Sequence, residues 1–309
     1  MDKTLILFTG NNFYYFDRIH SPELTIEGMF WDHAEQKNPL LKFLRKKGSS
    51  WTRLFYQDWY KHLNEYQRII VFDVLYIFDV RLLENIARKA PNAKRYFYSW
   101  NVVKNEARFM STKKAAQDAG FQYYSYDRGD CEKYGLRFNT IMYDRTLTLE
   151  PAVPRYDALF LGFLKDRKND LLSLYEMLAS AGLKPNFVTV DLKQKHENLP
   201  FTFRSDYISY YDYLKMVSDS RSILDIAQQG QDGYSMRVME AIFFNKKLIT
   251  TNAAVRQSIF YDENNILIIE FGATTAEELR TFFEKPFKPY DESVRQYYSI
   301  EAWADRFSD

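Results

Sequence analysis

The sequence predicts an α/β protein built from two Rossmann-like domains that face a cleft. Three observations carry this reading. Short apolar runs alternate with segments of helical period along most of the chain, the pattern of β-α-β crossovers and a parallel sheet. The alternation breaks once, at Thr146–Pro154 (TLTLEPAVP), where two prolines sit in a stretch without helical period. The length of 309 residues matches about two domains of roughly 150 residues each. The expected division is residues 1–150 and 151–309.

The elements follow in order. Thr4–Phe8 is apolar throughout and runs into Thr9-Gly10-Asn11-Asn12, a strand ending in a turn. Asn38–Lys47 reads as a short amphipathic helix and Trp51–Asn64 as a second. Arg68–Asp73 (RIIVFD) is a buried strand. Val80–Ala90 places Leu82, Leu83, Ile86 and Ala87 at helical spacing before Pro91-Asn92 stops it. Ala93–Tyr98 is a strand, Asn105–Ala119 a helix closed by Gly120, and Phe121–Tyr126 a strand. Glycine suits the position after a helix because it tolerates positive φ. Beyond the break, Asp157–Leu164 (DALFLGFL) is a near-continuous apolar run, as expected for a strand covered on both faces. A helix bearing Leu171, Leu174, Tyr175 and Leu178 follows and ends at Gly182 and Pro185. Next come a strand at Asn186–Val190, a helix at Tyr210–Ser218 and a strand at Ser222–Ala227. Ser235–Phe244 is a helix, Lys247–Thr251 and Ile266–Ile269 are strands, and Thr275–Glu284 is a helix. In Tyr297–Phe307, Ile300, Trp303 and Phe307 share one face, which must be buried.

Composition excludes several classes. With 42 Lys and Arg against 41 Asp and Glu, the formal net charge is +1, which disfavours a protein that coats nucleic acid. Cys131 is the single cysteine, so neither an internal disulfide nor a thiolate metal cluster can form, and a reducing cytoplasmic setting is expected. The four histidines, His20, His33, His62 and His196, never pair four residues apart, so no zinc site is expected. No apolar run reaches the roughly 20 residues that span a bilayer. Dinucleotide, P-loop and nucleophile-elbow motifs are all missing.

The chemistry concentrates in Asp232–Asn252 (DGYSMRVMEAIFFNKKLITTN). Gly233 relaxes the backbone just before a helix opens. The free amides of Ser235, Met236 and Arg237 carry the positive end of the helix dipole and suit a phosphate. Arg237 adds a cationic fork for the same anion. Glu240, one turn on, can accept hydrogen bonds from a ribose diol. A second basic segment, Gly162-Phe163-Leu164-Lys165-Asp166-Arg167-Lys168, lies where a strand runs into a helix, and ligands of such sheets bind outside the carboxyl ends of the strands.

Asp232–Asn252 resembles the nucleotide-sugar signature of GT-B glycosyltransferases, which runs Glu-Gly-Phe-Gly, four residues, Glu-Ala, then Gly-Lys-Pro-Val-Ile. Seven residues separate Asp232 from Glu240, as in that signature. Asp232, Ser235, Arg237 and Asn245 replace the usual Glu, Gly, Pro and Gly. The variant is similar to bacterial enzymes of polysaccharide and lipopolysaccharide biosynthesis. The resemblance implies a metal-independent glycosyltransferase, a hexosyltransferase with retention favoured, using a UDP- or GDP-sugar donor and no cofactor. It implies a donor site of Lys165, Arg167, Gly233, Tyr234, Ser235, Met236, Arg237 and Glu240, with Asp232 orienting the sugar. The acceptor would be a surface glycan or glycolipid rather than nucleic acid, and a late helix would cross back onto the first domain.

Asp17 and His20, in the loop after the first strand, are the candidate general bases. Asp73 is a cleft-lining candidate and Asp79 reads as a helix N-cap. Asn38–Lys47 mixes leucines with four cations, a patch suited to peripheral contact with the inner membrane face. The competing class is a non-catalytic two-domain nucleotide- or sugar-binding protein.

Overall fold

The structure is a computed structural model and describes residues 3–8, 21–31, 38–73, 80–164, 167–190, 199–227 and 232–308. It divides into two compact units. The first comprises Met1–Asp144 with Ser299–Asp309, and the second Arg145–Tyr298.

The first unit holds β1 (Thr4–Phe8), β2 (Leu24–Gly28), α1 (Pro39–Lys46), β3 (Arg68–Asp73), α2 (Val80–Lys89), β4 (Lys94–Ser99) and α3 (Glu106–Asp118), then β5 (Gln122–Ser125), α4 (Arg128–Tyr134) and β6 (Arg137–Phe138). Its strands pair in the order β2-β1-β3-β4-β5-β6, every pair parallel. Leu5, Leu7, Ile69, Val71 and Phe97 put one sheet face into a core shared with Leu82, Leu83 and Ile86 of α2, which is why these strands read as unbroken apolar runs. Gly120 closes α3 at φ 73°. A Cβ there would lie 2.9 Å from Arg95 Nη2, the tip of a flexible side chain, so it is the conformation that calls for glycine.

The second unit holds β7 (Tyr156–Gly162), α5 (Lys168–Ser180), β8 (Pro185–Val190), β9 (Thr202–Arg204), α6 (Tyr210–Ser218) and β10 (Ser220–Asp225), then α7 (Met236–Phe243), β11 (Lys247–Thr250), β12 (Ile266–Ile268), α8 (Ala276–Glu284) and α9 (Glu292–Tyr298). The order is β12-β11-β10-β7-β8-β9, again all parallel. Counted from β7, this is the 3-2-1-4-5-6 arrangement of dinucleotide-binding domains, whose order reverses between the first and fourth strands. Here the reversal falls between β7 and β10.

One expectation is corrected. Trp51–Asn64 is not one helix but three short 3-10 turns, Ser50–Phe55, Asp58–Tyr60 and Leu63–Glu65. The cause is tertiary. Gln57 N and Trp59 Nε1 donate to Met29 O, Gln57 Nε2 donates to Phe30 O, and Trp31 N donates to Phe55 O. The segment is thus bonded to the exit of β2, and those bonds replace a helical ladder. The segment Tyr297–Phe307 is split at Ser299, whose hydroxyl caps α10 (Ile300–Asp305). Residues 145–150 belong with the second unit, where Tyr211 donates to Glu150 Oε1 at 2.9 Å and Ser218 Oγ donates to Glu150 O.

The terminal segment belongs to the first unit. Trp303 is fully buried, with its ring 5.8 Å from Phe72, 5.0 Å from Tyr98 and 4.8 Å from Phe307. Arg68 Nη2 pairs with Asp305 at 2.8 Å and Arg68 Nη1 donates to Ala304 O. Asn139 Nδ2 donates to Trp303 O, and Ser308 O accepts from both Tyr124 and Arg137. No helix among the described residues is long and apolar enough to cross a membrane.

Candidate donor site in the second unit

The site is built where the strand order reverses. β7 ends at Gly162 and β10 ends at Asp225, and these two strands pair directly. Asp225 is buried and organises the entry to α7. Its Oδ1 accepts from Ser235 Oγ at 2.7 Å and its Oδ2 from Thr250 Oγ1 at 3.1 Å. Ser235 is the N-cap of α7 and accepts from Arg237 N. The Arg237 amide, expected to be free for a phosphate, is thus taken by the cap. One buried carboxylate orients the capping hydroxyl and fixes where the helix begins, which sets the direction of the other amides at its entry.

The end of β11 holds the same loop from the other side. Asn252 Nδ2 donates to Asp232 O and Gly233 O, both at 3.3 Å, and Thr251 Oγ1 accepts from Ala227 N at 2.9 Å. This accounts for the polar end of the Lys-Lys-Leu-Ile-Thr-Thr-Asn run: its side chains bond the loop that precedes α7. The two lysines act behind it. Lys246 Nζ donates to Ser218 O and Ser220 O, and Lys247 Nζ donates to Asn264 O and Phe282 O. Burial lowers both ammonium groups to about 8. Asn245, standing where the signature has glycine, adopts φ 53°, a left-handed conformation that asparagine tolerates better than most residues.

Two guanidinium groups flank Gly162. Arg237 Nη2 donates to Leu161 O at 2.7 Å. Arg167 Nη1 donates to Ile226 O at 2.7 Å and Nη2 to Phe163 O at 2.9 Å, bridging the exits of β7 and β10. Both lie over the Phe160 ring, at 5.4 Å for Arg167 and 5.9 Å for Arg237. A Cβ on Gly162 would stand 3.2 Å from Arg237 Nη2. The glycine thus makes room for a paired cationic wall beside the N-terminus of α7. Arg167 is buried with both terminal nitrogens on main-chain carbonyls, so it shapes this wall. Arg237 is half-buried.

Glu240 has partners that sequence reasoning did not find. Tyr210 donates to its Oε1 at 3.1 Å and Tyr213 to its Oε2 at 2.5 Å, the two rings stacked at 5.8 Å. The carboxyl is buried. Burial pushes its pKa up to about 7, opposed by the Tyr213 bond, the Arg237 charge and the Tyr210 bond. A ribose diol would reach Glu240 by exchanging with those hydroxyls.

Of the residues named from sequence, Ser235, Arg237, Arg167 and Gly233 are gathered around the strand reversal. Met236 and Gly233 are buried, Tyr234 is half-buried with its ring 5.2 Å from Phe260, and Asp232 is exposed. Lys165, Asp17, His20 and Asp79 lie outside the described residues. Asp73 closes β3 and is buried. Among the described residues no group of three His, Cys, Asp or Glu side chains stands ready for a metal ion. Asp225, Tyr210 and Tyr213 were missed. The available signals were an acid ending an apolar strand and two tyrosines three apart on the inner face of a helix.

No family model and no curated protein matches the sequence. Solved structures do resemble it. T4 phage BGT in complex with its UDP-glucose substrate aligns at 13% identity and a TM-score of 0.49, over 98% of this chain and 93% of that one. An alpha-glucosyltransferase in complex with UDP and a mismatched 13-mer DNA aligns at 11% identity and a TM-score of 0.53, over 98% and 92%. An alpha-glucosyltransferase with UDP-glucose and DNA containing an abasic site aligns at 10% and 0.53, over the same shares. These are likenesses of fold. The chain has the GT-B fold, two parallel-sheet Rossmann-like α/β units in one polypeptide.

Proposed function

We propose that the protein is a glycosyltransferase that takes a hexose from a nucleotide-diphosphate sugar, its second unit binding the donor. The observation that carries this reading is the strand reversal between β7 and β10, where a capped helix N-terminus meets the half-buried Arg237 guanidinium. Fixed amides and a fixed cation are what a departing diphosphate requires, because they stabilise charge without reorganising. The chemistry needs no bound metal on this reading. The structures it resembles in fold are of glucosyltransferases with UDP or UDP-glucose, which makes a UDP-sugar the first donor to test.

Asp232, exposed at the entry to α7, is the group proposed to orient the donor sugar in a retaining reaction. Asp17 and His20 remain the proposed bases should the reaction invert. For the acceptor we propose a glycan or glycolipid, which the balance of 42 basic and 41 acidic residues supports over a polyanion such as nucleic acid. The test is transfer of labelled glucose from UDP-glucose, in the presence of a chelator, to a lipid extract and in parallel to duplex DNA. Label in the lipid or glycan fraction supports the reading. Label in DNA alone replaces the acceptor, and no turnover with any nucleotide sugar removes the enzyme.

A further inference from the structure

We propose that α1 and the 3-10 turn Ser50–Phe55 of the first unit form a docking surface for an anionic lipid bilayer. The inference comes from surface chemistry and stands apart from the donor site.

α1 is fixed before any partner arrives. Asn38 Oδ1 accepts from Leu40 N and Leu41 N, proline fills its first position, and Arg45 and Lys46 lie in its last turn. Only Leu41 of this helix is fully buried. Leu40 and Phe43, three apart, are 56% and 57% exposed. Lys47 rests its ammonium 6.0 Å from the Phe43 ring. The helix packs against the turn Ser50–Phe55. In a 3-10 helix, residues three apart eclipse one another, so Trp51 and Leu54 project together, and they are 66% and 64% exposed. Two adjacent elements thus each present an apolar pair to solvent, an arrangement that marks an interaction surface rather than scattered exposure.

Charge names the partner. Residues 38–57 hold five Lys and Arg and no Asp or Glu. Among the described residues, Glu84 of α2, which packs on the same turn, is bound by Arg81 at 2.6 Å, and Asp58 is bound by Lys61 at 2.7 Å. Cations interleaved with Leu, Phe and Trp match an anionic headgroup layer over acyl chains. A nucleic acid would use the cations and leave Leu40 and Leu54 in water. A tryptophan among them suits the interfacial zone, where its ring is apolar and its N–H stays wet.

The test is co-sedimentation of the full chain with phosphatidylcholine vesicles, with and without about a third phosphatidylglycerol. The expected result is binding at low salt to the anionic vesicles only. The double variant Phe43→Ser, Trp51→Ser should weaken it about tenfold or more, because two rings no longer leave water, and Lys46→Glu with Lys47→Glu should abolish it. All four side chains are exposed, so circular dichroism and UDP affinity should match the parent. The proposal is overturned if the parent ignores anionic vesicles at low salt, or if the ring variant binds them as well as the parent. It is overturned equally if duplex DNA binds this surface through Lys46 and Lys47 while the vesicles do not.

Discussion

At the residue scale, Glu240 and Arg237 are the two ionisable side chains of α7. Glu240 is a carboxyl whose pKa is about 7 against an ordinary 4.5. An acid whose folded pKa is raised binds a proton more tightly in the folded state. Its contribution to stability is therefore complete below about 4.5 and is lost as pH rises through about 7. The difference is on the order of 3 kcal/mol. Glu240→Gln keeps an acceptor for one tyrosine and offers a donor to the other, without the titration. Chemical denaturation of parent and variant across that pH window should show stability declining more steeply in the parent, and equal slopes would mean Glu240 ionises freely. Arg237 answers a different question. Arg237→Ala should cost about 1.5–3 kcal/mol of nucleoside diphosphate affinity, the scale of a charged hydrogen bond, and leave uridine binding unchanged. Equal losses for UDP and uridine by titration calorimetry would make Arg237 a purely structural tie to Leu161. The sequence showed the helix entry and its arginine through the Asp-Gly-Tyr-Ser…Arg…Glu-Ala spacing. It did not show that Asp225 orients Ser235 or that two tyrosines occupy Glu240, because these bonds join residues 10 to 30 positions apart in the chain.

At the element scale, legibility followed the source of each element's stability. Arg68–Asp73 and Tyr210–Ser218 appear with the bounds the pattern gave, since period and local caps decide them. Trp51–Asn64 is not one helix because partners at the exit of β2, Met29 to Trp31, decide it. β2 (LTIEG) was missed as well: it is half-buried over most of its length and lacks the apolar run that marked its neighbours. α4 was missed although Asp127 caps it and Gly135 closes it in a left-handed conformation, both of which are readable signals. α10 offers the sharpest check on packing. Its tryptophan is enclosed by Phe72, Tyr98 and Phe307, so Trp303→Ala should destabilise the first unit by about 3–5 kcal/mol. Ending the chain after Tyr298 should do at least as much harm, because Arg68, Tyr124, Arg137 and Asn139 all bond to the segment removed. Unfolding curves for the Trp303 variant that overlay the parent would show that this packing does not hold the unit.

At the scale of the whole molecule, two parallel sheets were readable from the alternation of apolar runs and helical segments, and their order was not. Strand order depends on which edge each crossover joins, and no local pattern records that. The order is what gathers the motif residues into one candidate site, since it sets β7 beside β10 and brings Gly162, Arg167 and Arg237 next to the start of α7. The central claim is that this place holds the diphosphate of a sugar nucleotide. The most direct measurement is titration calorimetry of the purified chain with UDP-glucose, UDP and uridine in the presence of a chelator. The expected result is saturable binding of UDP-glucose and UDP, with uridine weaker by about tenfold or more because it lacks the charge that the amides and guanidinium meet. Absence of binding by all three, or uridine bound as tightly as UDP, would contradict it.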